Sequence, residues 1–301
     1  MENALIILKQ ILIMFFYMAI GCLLYHRKLV SKEGSKSMAH LLLYVVLPCV
    51  VIRSFCVERT PEKMRWLLIS MIGAVILLLL AMVVSHVLFR KNAMDDFGAS
   101  FSNAGFMGFP LITAVLGSDA VFYAAGFVAL LNALQWTYGQ GLLAHNWKLC
   151  SPKMVIKNPL ILALLAGMAV FFFGIPLPGV LQSGISSLAA LNGPLAMIIL
   201  GIYLAQTDVK SMFMEGHLYL VSAVRLILIP LQSLLIMNVC FKGNADIATS
   251  LMIACCAPIG SNVAVYAQKL DLDYTYAVKL VCMSTILSII TMPLIIMLMN
   301  G

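Results

Sequence analysis

Two short stretches combine residue types that a membrane-buried helix tolerates only for a reason. "SFSNAGFMGFPLITAVLG", residues 100–117, carries Asn103, Gly105, Gly108 and Pro110, and "ACCAPIGSNVAVYA" carries Pro258, Gly260, Ser261 and Asn262. Amides, hydroxyls and free backbone N–H groups with no titrating partner beside them suit recognition, because they can hold an ion without moving a proton. A proline inside a helix removes a backbone hydrogen bond and clashes with the preceding turn, at a cost of about 3 kcal/mol or more. In hydrocarbon the freed groups cannot turn to water, so a break persists only where protein or a watery cavity satisfies it. Two interrupted helices crossing near the bilayer midplane would aim their half-helix N-termini at the crossing, each with roughly half an elementary positive charge. An anion suits such a place. The competing reading is that the prolines merely kink their helices while Asn103 and Asn262 join neighbouring helices by hydrogen bonds.

The elements that must position these residues are legible from composition. Hydrophobic residues make up 62% of the 301 and charged residues only 10%, which defines an integral membrane protein rather than a soluble globule. Apolar runs of about 17 to 25 residues, the length that crosses the hydrocarbon, recur ten times. They fall near 5–25, 37–57, 66–89, 97–117, 120–144, 158–175, 180–206, 216–241, 247–267 and 277–299. The first run lacks the basic start and small-residue cleavage site of a secretory signal and reads as a span. The eight cysteines are scattered, with no CxxC pair or His spacing that would hold a metal, and no cofactor is expected. Vicinal Cys255 and Cys256 beside Pro258 read mainly as small packing residues.

The net charge of +7 sorts by side of the membrane. One set of connections holds Arg27, Lys28, Lys32, Lys36, Arg90, Lys91, Lys148, Lys153, Lys157, Lys210, Lys269 and Lys279. The other, termini included, holds Lys9, Arg53, Arg59, Lys63, Arg65 and Lys242. The asymmetry puts the first set in the cytoplasm and both termini outside, in a multi-pass protein of the plasma (inner) membrane, although the cluster from Arg53 to Arg65 opposes it. Lipid, not nucleic acid, is the partner this charge implies.

Pro48 and Pro194 lie 146 residues apart, and Pro110 and Pro258 lie 148 apart. Recurrence at half the chain length divides the protein into two five-helix repeats, 1–147 and 158–301, joined by a short cytoplasmic connection at 148–157. Five is odd, so the second repeat enters the membrane from the opposite side. The expected fold is therefore all-α, with ten transmembrane helices in two inverted repeats and broken helices 4 and 9 crossing at their prolines.

"SNAGFMGFPLITAVLG" and "CCAPIGSNVAVYA", together with "YVVLPCVV" and "PLAMIILGIYLA", resemble the auxin efflux carrier family, which belongs with the bile-acid-, arsenite- and riboflavin-type transporters. The resemblance covers essentially the whole chain. It implies a scaffold domain from helices 1, 2, 6 and 7, a transport domain from helices 3–5 and 8–10, and a substrate carboxylate at the crossover, with Asn103 among its contacts. A homodimer through the scaffold helices is compatible with it. Two departures matter: the long hydrophilic loop of plant members is missing here, and "WLLISMIGAVILLLLAMVVSHVLF" has none of the charges those members carry in helix 3. The aromatic auxin substrate is therefore not carried over, and bacterial relatives suggest malate- or malonate-like dicarboxylates.

Remaining polar residues are read as follows. Every Asp and Glu falls in a connection or at a span edge, and the five histidines lie near span ends as interfacial groups, which removes most support from a proton antiporter. Arg225 intrudes into the eighth span, where a cation costs about 2.5 to 3.5 kcal/mol unless paired or snorkelling. It faces the anion path, holds the carbonyl ends of the transport domain, or reaches back to the interface. Asn132, Gln135 and Gly139 share one helical face that either lines the cavity or hydrogen-bonds between helices. The substrate-binding candidates are thus Asn103, Gly108, Pro110, Asn132, Gln135, Arg225, Pro258, Gly260, Ser261 and Asn262. The function they imply is alternating-access transport of small organic anions, driven electrogenically by the membrane potential. A sodium-coupled symporter of bile-acid type is the alternative, and no residue spacing supports an intramembrane enzyme.

Overall fold

The computed structural model describes residues 2–149, 155–240 and 244–300. The chain runs as α1 (Glu2–His26), α2 (Lys32–Leu41), α3 (Leu47–Ser54), α4 (Pro61–Phe89), α5 (Ala93–Ser100), α6 (Phe109–Leu116), α7 (Val121–Leu134) and α8 (Gln140–Leu143). After the connection follow α9 (Pro159–Phe173), α10 (Gly179–Ala190), α11 (Asn192–Ala205), α12 (Val209–Met214), α13 (Gly216–Ala223), α14 (Ile229–Cys240), α15 (Ala245–Cys256), α16 (Asn262–Lys269) and α17 (Tyr274–Asn300). Among the described residues seven helical stretches are long and apolar enough to cross a membrane, and three shorter apolar ones join them: Ala104–Leu116, Pro159–Phe173 and Ala245–Cys256. No strand longer than a single bridge forms among them. Lys153, Cys150 and half of the expected 148–157 connection lie outside the described residues, as does Lys242.

Local sequence explains where helices start. Thr60, Asn92, Asn158 and Asn244 cap α4, α5, α9 and α15, each side chain accepting from backbone N–H groups of the first turn. Pro61 and Pro159 occupy first-turn positions, where the missing N–H costs nothing. α9 stops at Gly174, whose φ of 61° is the left-handed value a glycine takes freely.

Four widened turns interrupt the longer helices, at Leu42–Val46, Ala104–Gly108, Gln135–Gly139 and Val224–Leu228. Three of them lie directly before Pro48, Pro110 and Pro230. A proline ring crowds the carbonyl four residues earlier, and a locally wider turn moves that carbonyl aside while the helix continues. These prolines therefore bend rather than end their helices.

Tight crossings hold the bundle. Gly21 of α1 lies against the Ile198 backbone and Gly201 of α11 against that of Met18, so a side chain at either glycine would collide with the facing helix. The Cys22 thiol donates to Gly201 O across the same seam at 3.1 Å. α3 packs on α9 and α10. Gly167 makes room there for Phe55, whose ring centroid is 5.1 Å from that of Phe122, itself 5.0 Å from Phe171. α4, α7 and α15 form a second packed group that carries both interrupted helices.

Candidate functional site: two broken helices and an amide cluster

The predicted spans at 97–117 and 247–267 are each interrupted, and the interruptions touch. α5 ends at Ser100, residues 101–103 are non-helical, and a helical stretch resumes at Ala104; α15 ends at Cys256 and α16 begins at Asn262. The two linkers pair as one antiparallel bridge between Ser102 and Ile259. Asn103 N–H donates to Pro258 O at 2.7 Å and Gly260 N–H to Phe101 O at 2.9 Å. Ser102 Oγ donates to Ala254 O at 2.8 Å, and Ile259 N–H donates to Ser284 Oγ at 3.1 Å. Backbone groups that lipid could not satisfy are thus satisfied by the opposite linker and its neighbours.

One expectation needs correction. The helices do not meet at both prolines: Pro258 lies in the second linker, but Pro110 sits seven residues beyond the last residue of the first, in the first turn of α6. Glycine and asparagine, not proline, mark that first break. Extended backbone at 101–103 has no proline to announce it, and only the partner linker stabilises it.

The four helix ends at the crossing divide by sign. Arg225 is fully buried, and its guanidinium donates to Ala99 O at 3.0 Å, to Ser100 O at 3.3 Å and to Cys255 O, the terminal carbonyls of α5 and α15. One cation thereby neutralises two negative helix ends. Of the alternatives open for this residue, the structure places it on the carbonyl ends rather than at the interface. The opposite ends are bare. The stretch beginning at Ala104 and α16 beginning at Asn262 have no side-chain cap, unlike α4, α5, α9 and α15.

Around those bare ends stand Asn103, Asn132, Gln135, Gly260, Ser261 and Asn262, lining a space of about 10 Å³. That is barely the room for one water. Asn262 Nδ2 donates to Gln135 Oε1 at 2.6 Å and to Asn132 Oδ1 at 3.3 Å, and Asn132 Nδ2 donates to Val128 O at 2.9 Å. The face of α7 expected from its spacing therefore does both things weighed for it: it lines the site and bonds across helices. Gly260 is required by close approach, since a Cβ there would lie 3.1 Å from Ser102 O and 3.2 Å from Gln135 Nε2. Asn103 differs from the other amides. It is only 4% exposed, yet its side chain has no hydrogen-bond partner among the described residues. It also lines an adjoining space of about 20 Å³ between Phe106, Ser261 and Asn262 on one side and His40, Leu200 and Tyr203 on the other.

Two candidates stand apart from this cluster. Gly108 packs against Ala254 of α15, with space for a Cβ at 3.5 Å, and Pro110 lies against Gly193. Pro110 lines a different cavity, of about 290 Å³, with Gln10, Arg53, Thr113, Asn192 and Pro194. Sequence reasoning passed over Asn192, whose Nδ2 donates to Gly105 O at 2.8 Å; an asparagine directly before Gly193 and Pro194 in an apolar run was the available signal.

Asp95 and Asp96 lie at a span edge as expected, and the packed helices bury both fully. His217 Nε2 is 2.6 Å from Asp95 Oδ2, the Tyr276 hydroxyl donates to Asp95 Oδ1 at 2.6 Å, and His86 Nδ1 is 2.8 Å from Asp96 Oδ2. His86 and His217 stay about half exposed near their span ends, as expected, and in addition pair with the buried carboxylates. Position along a span does not reveal which side chains the neighbouring helices will cover.

Fold and site together define a multi-pass membrane transporter rather than an enzyme. A family model described as "Membrane transport protein" matches residues 6–148 and again 143–296, one match to each half. The chain belongs to that family, the one its motifs resemble. Two relatives align over most of their length. An "Uncharacterized transporter" of Methanothermobacter thermautotrophicus is 24% identical over 308 residues, covering 97% of this chain and 96% of the relative. A "Putative malonate transporter" of Rhizobium meliloti is 26% identical over 270 residues, covering 83% and 82%.

Proposed function

We propose that the protein carries small organic anions, with malonate- or malate-like dicarboxylates as the leading class, by alternating access about the crossover. The single observation that carries this reading is the free amide of Asn103 beside two uncapped helix N-termini. Neither helix start at the buried polar cluster is capped by a side chain, and in α16 the Val263 and Ala264 N–H groups turn back to Gly260 O and Ser261 O while the N–H groups before them stay available. Those N–H groups and the Asn103 amide supply donors for a carboxylate, and Arg225 on the far carbonyl ends keeps the linkers from collapsing into continuous helix. The name of the Rhizobium relative agrees in substrate class.

The matching halves support an inverted-repeat carrier whose scaffold comprises α1, α2–α3 and α9–α11, against which the group bearing the broken helices moves. The charge asymmetry supports a plasma-membrane protein with both termini outside. No carboxylate lines the crossover, so transport of net negative charge is expected to be electrogenic, worth about 2.3 kcal/mol per charge per 100 mV. The test is malonate uptake into proteoliposomes with an imposed potential. Flux that follows the potential and is unchanged when potassium replaces sodium fits the proposal; dependence on sodium would favour a symporter of bile-acid type. Absence of flux for malonate, malate and related mono- and dicarboxylates would sink it.

A further inference from the structure

The crossover space of about 10 Å³ has no room for a carboxylate with its carbon chain, whereas the cavity walled by α1, α3, α6 and α11 measures about 290 Å³. Its lining is polar beyond what lipid contact requires: Gln10, Tyr17, Ser54, Thr113, Ser118 and Asn192 contribute to it. Arg53 is the one side chain of fixed charge in that lining, and no Asp or Glu is in it. Nor does Arg53 make an ion pair or hydrogen bond among the described residues, so its charge is uncommitted. Only a thin partition separates this cavity from the crossover. Asn192 faces the cavity and donates to Gly105 O, and Gly105 lines the crossover space. Asn192 Oδ1 is buried without a partner, and the Leu47 and Val128 side chains pack against Gly105 in the same partition.

We propose that this cavity is a waiting site for a small carboxylate, with Arg53 as its anion-attracting residue and Asn192 as the partition the anion passes to reach Asn103. The proposal rests on the carrier reading above and extends it to a second position on the path. An unpaired cation in a cavity free of carboxylates raises the local concentration of anions, and a partly exposed charge of this kind is screened by salt. Arg53 acts on capture and not on the later movement of the protein, so its effect belongs in KM.

The experiment measures malonate uptake into proteoliposomes across a range of malonate concentrations for the wild type, Arg53→Gln and Arg53→Lys, at low and high potassium chloride. Arg53→Gln is expected to raise KM about tenfold at low salt, with kcat within twofold of wild type. Arg53→Lys should keep most of the wild-type KM. High salt should raise the wild-type KM and leave that of Arg53→Gln nearly unchanged. If the wild type transports malonate and Arg53→Gln has the wild-type KM and salt response, the waiting site is wrong and the carrier stands. A fall in kcat at constant KM would overturn it too, because Arg53 would then serve the moving protein. If the wild type moves no carboxylate, the carrier reading fails and the waiting site falls with it.

Discussion

The two helix breaks reach the same geometry by different local means. The second is written into the chain: Pro258 cannot donate, Gly260 fits beneath the Ser102 carbonyl, and Ser284 takes the Ile259 N–H. The first has no proline at residues 101–103 and exists because the second lies against it, through Asn103 N–H to Pro258 O and Gly260 N–H to Phe101 O. One break is encoded locally and the other is imposed by tertiary pairing. The free amide, Asn103, belongs to the imposed one, while its counterpart Asn262 is tied to Gln135 and Asn132.

The most damaging way to break this arrangement acts on both halves at once. Arg225→Met strips the donors from three buried carbonyls and should cost on the order of 3 kcal/mol or more. A large fall in melting temperature in detergent is expected, with Arg225→Lys intermediate because an ammonium cannot span both helix ends. A melting curve like the wild type's for Arg225→Met would show that the carbonyl ends are satisfied some other way. Next in size, Asn103→Ala should abolish malonate flux while leaving the melting temperature within a few degrees, since that amide holds nothing else. Wild-type flux in this variant would take the substrate away from the crossover.

Asn262→Ala sharpens the contrast. It removes two amide bonds, so a loss of about 1 kcal/mol together with several-fold lower flux is expected; flux lost as completely as in Asn103→Ala would make the two amides equivalent. The smallest effects belong to the prolines. Pro258→Ala should lower the melting temperature by a few degrees, whereas Pro110→Ala, which only lets the widened turn at Ala104–Gly108 relax, should change it little. The reverse ranking would return the first break to its proline. Side-by-side thermal melts of the two variants decide it.

Much of this was legible beforehand because hydrocarbon imposes simple rules. Ten apolar runs and their polar interruptions can be counted, and the polar face of Asn132, Gln135 and Gly139 follows from helical spacing. Arg225 was recognisable as costly, yet which carbonyls it serves depends on where α5 and α15 end. Pro110 misled because a proline in a helix can be absorbed by a wider turn, a choice made by surrounding packing. Asp95 and Asp96 stand at a span edge as the chain order indicates, but that α4, α13 and α17 bring His86, His217 and Tyr276 over them depends on how the helices pack.

By itself the sequence determined that this chain lives in a bilayer, crosses it many times, and which stretches carry polar groups too costly to leave unsatisfied. Only the tertiary structure decided which of those groups satisfy one another. Backbone donors freed in two segments more than 150 residues apart found their partners across the crossing, and that pairing set the Asn103 amide beside two helix starts that no side chain caps.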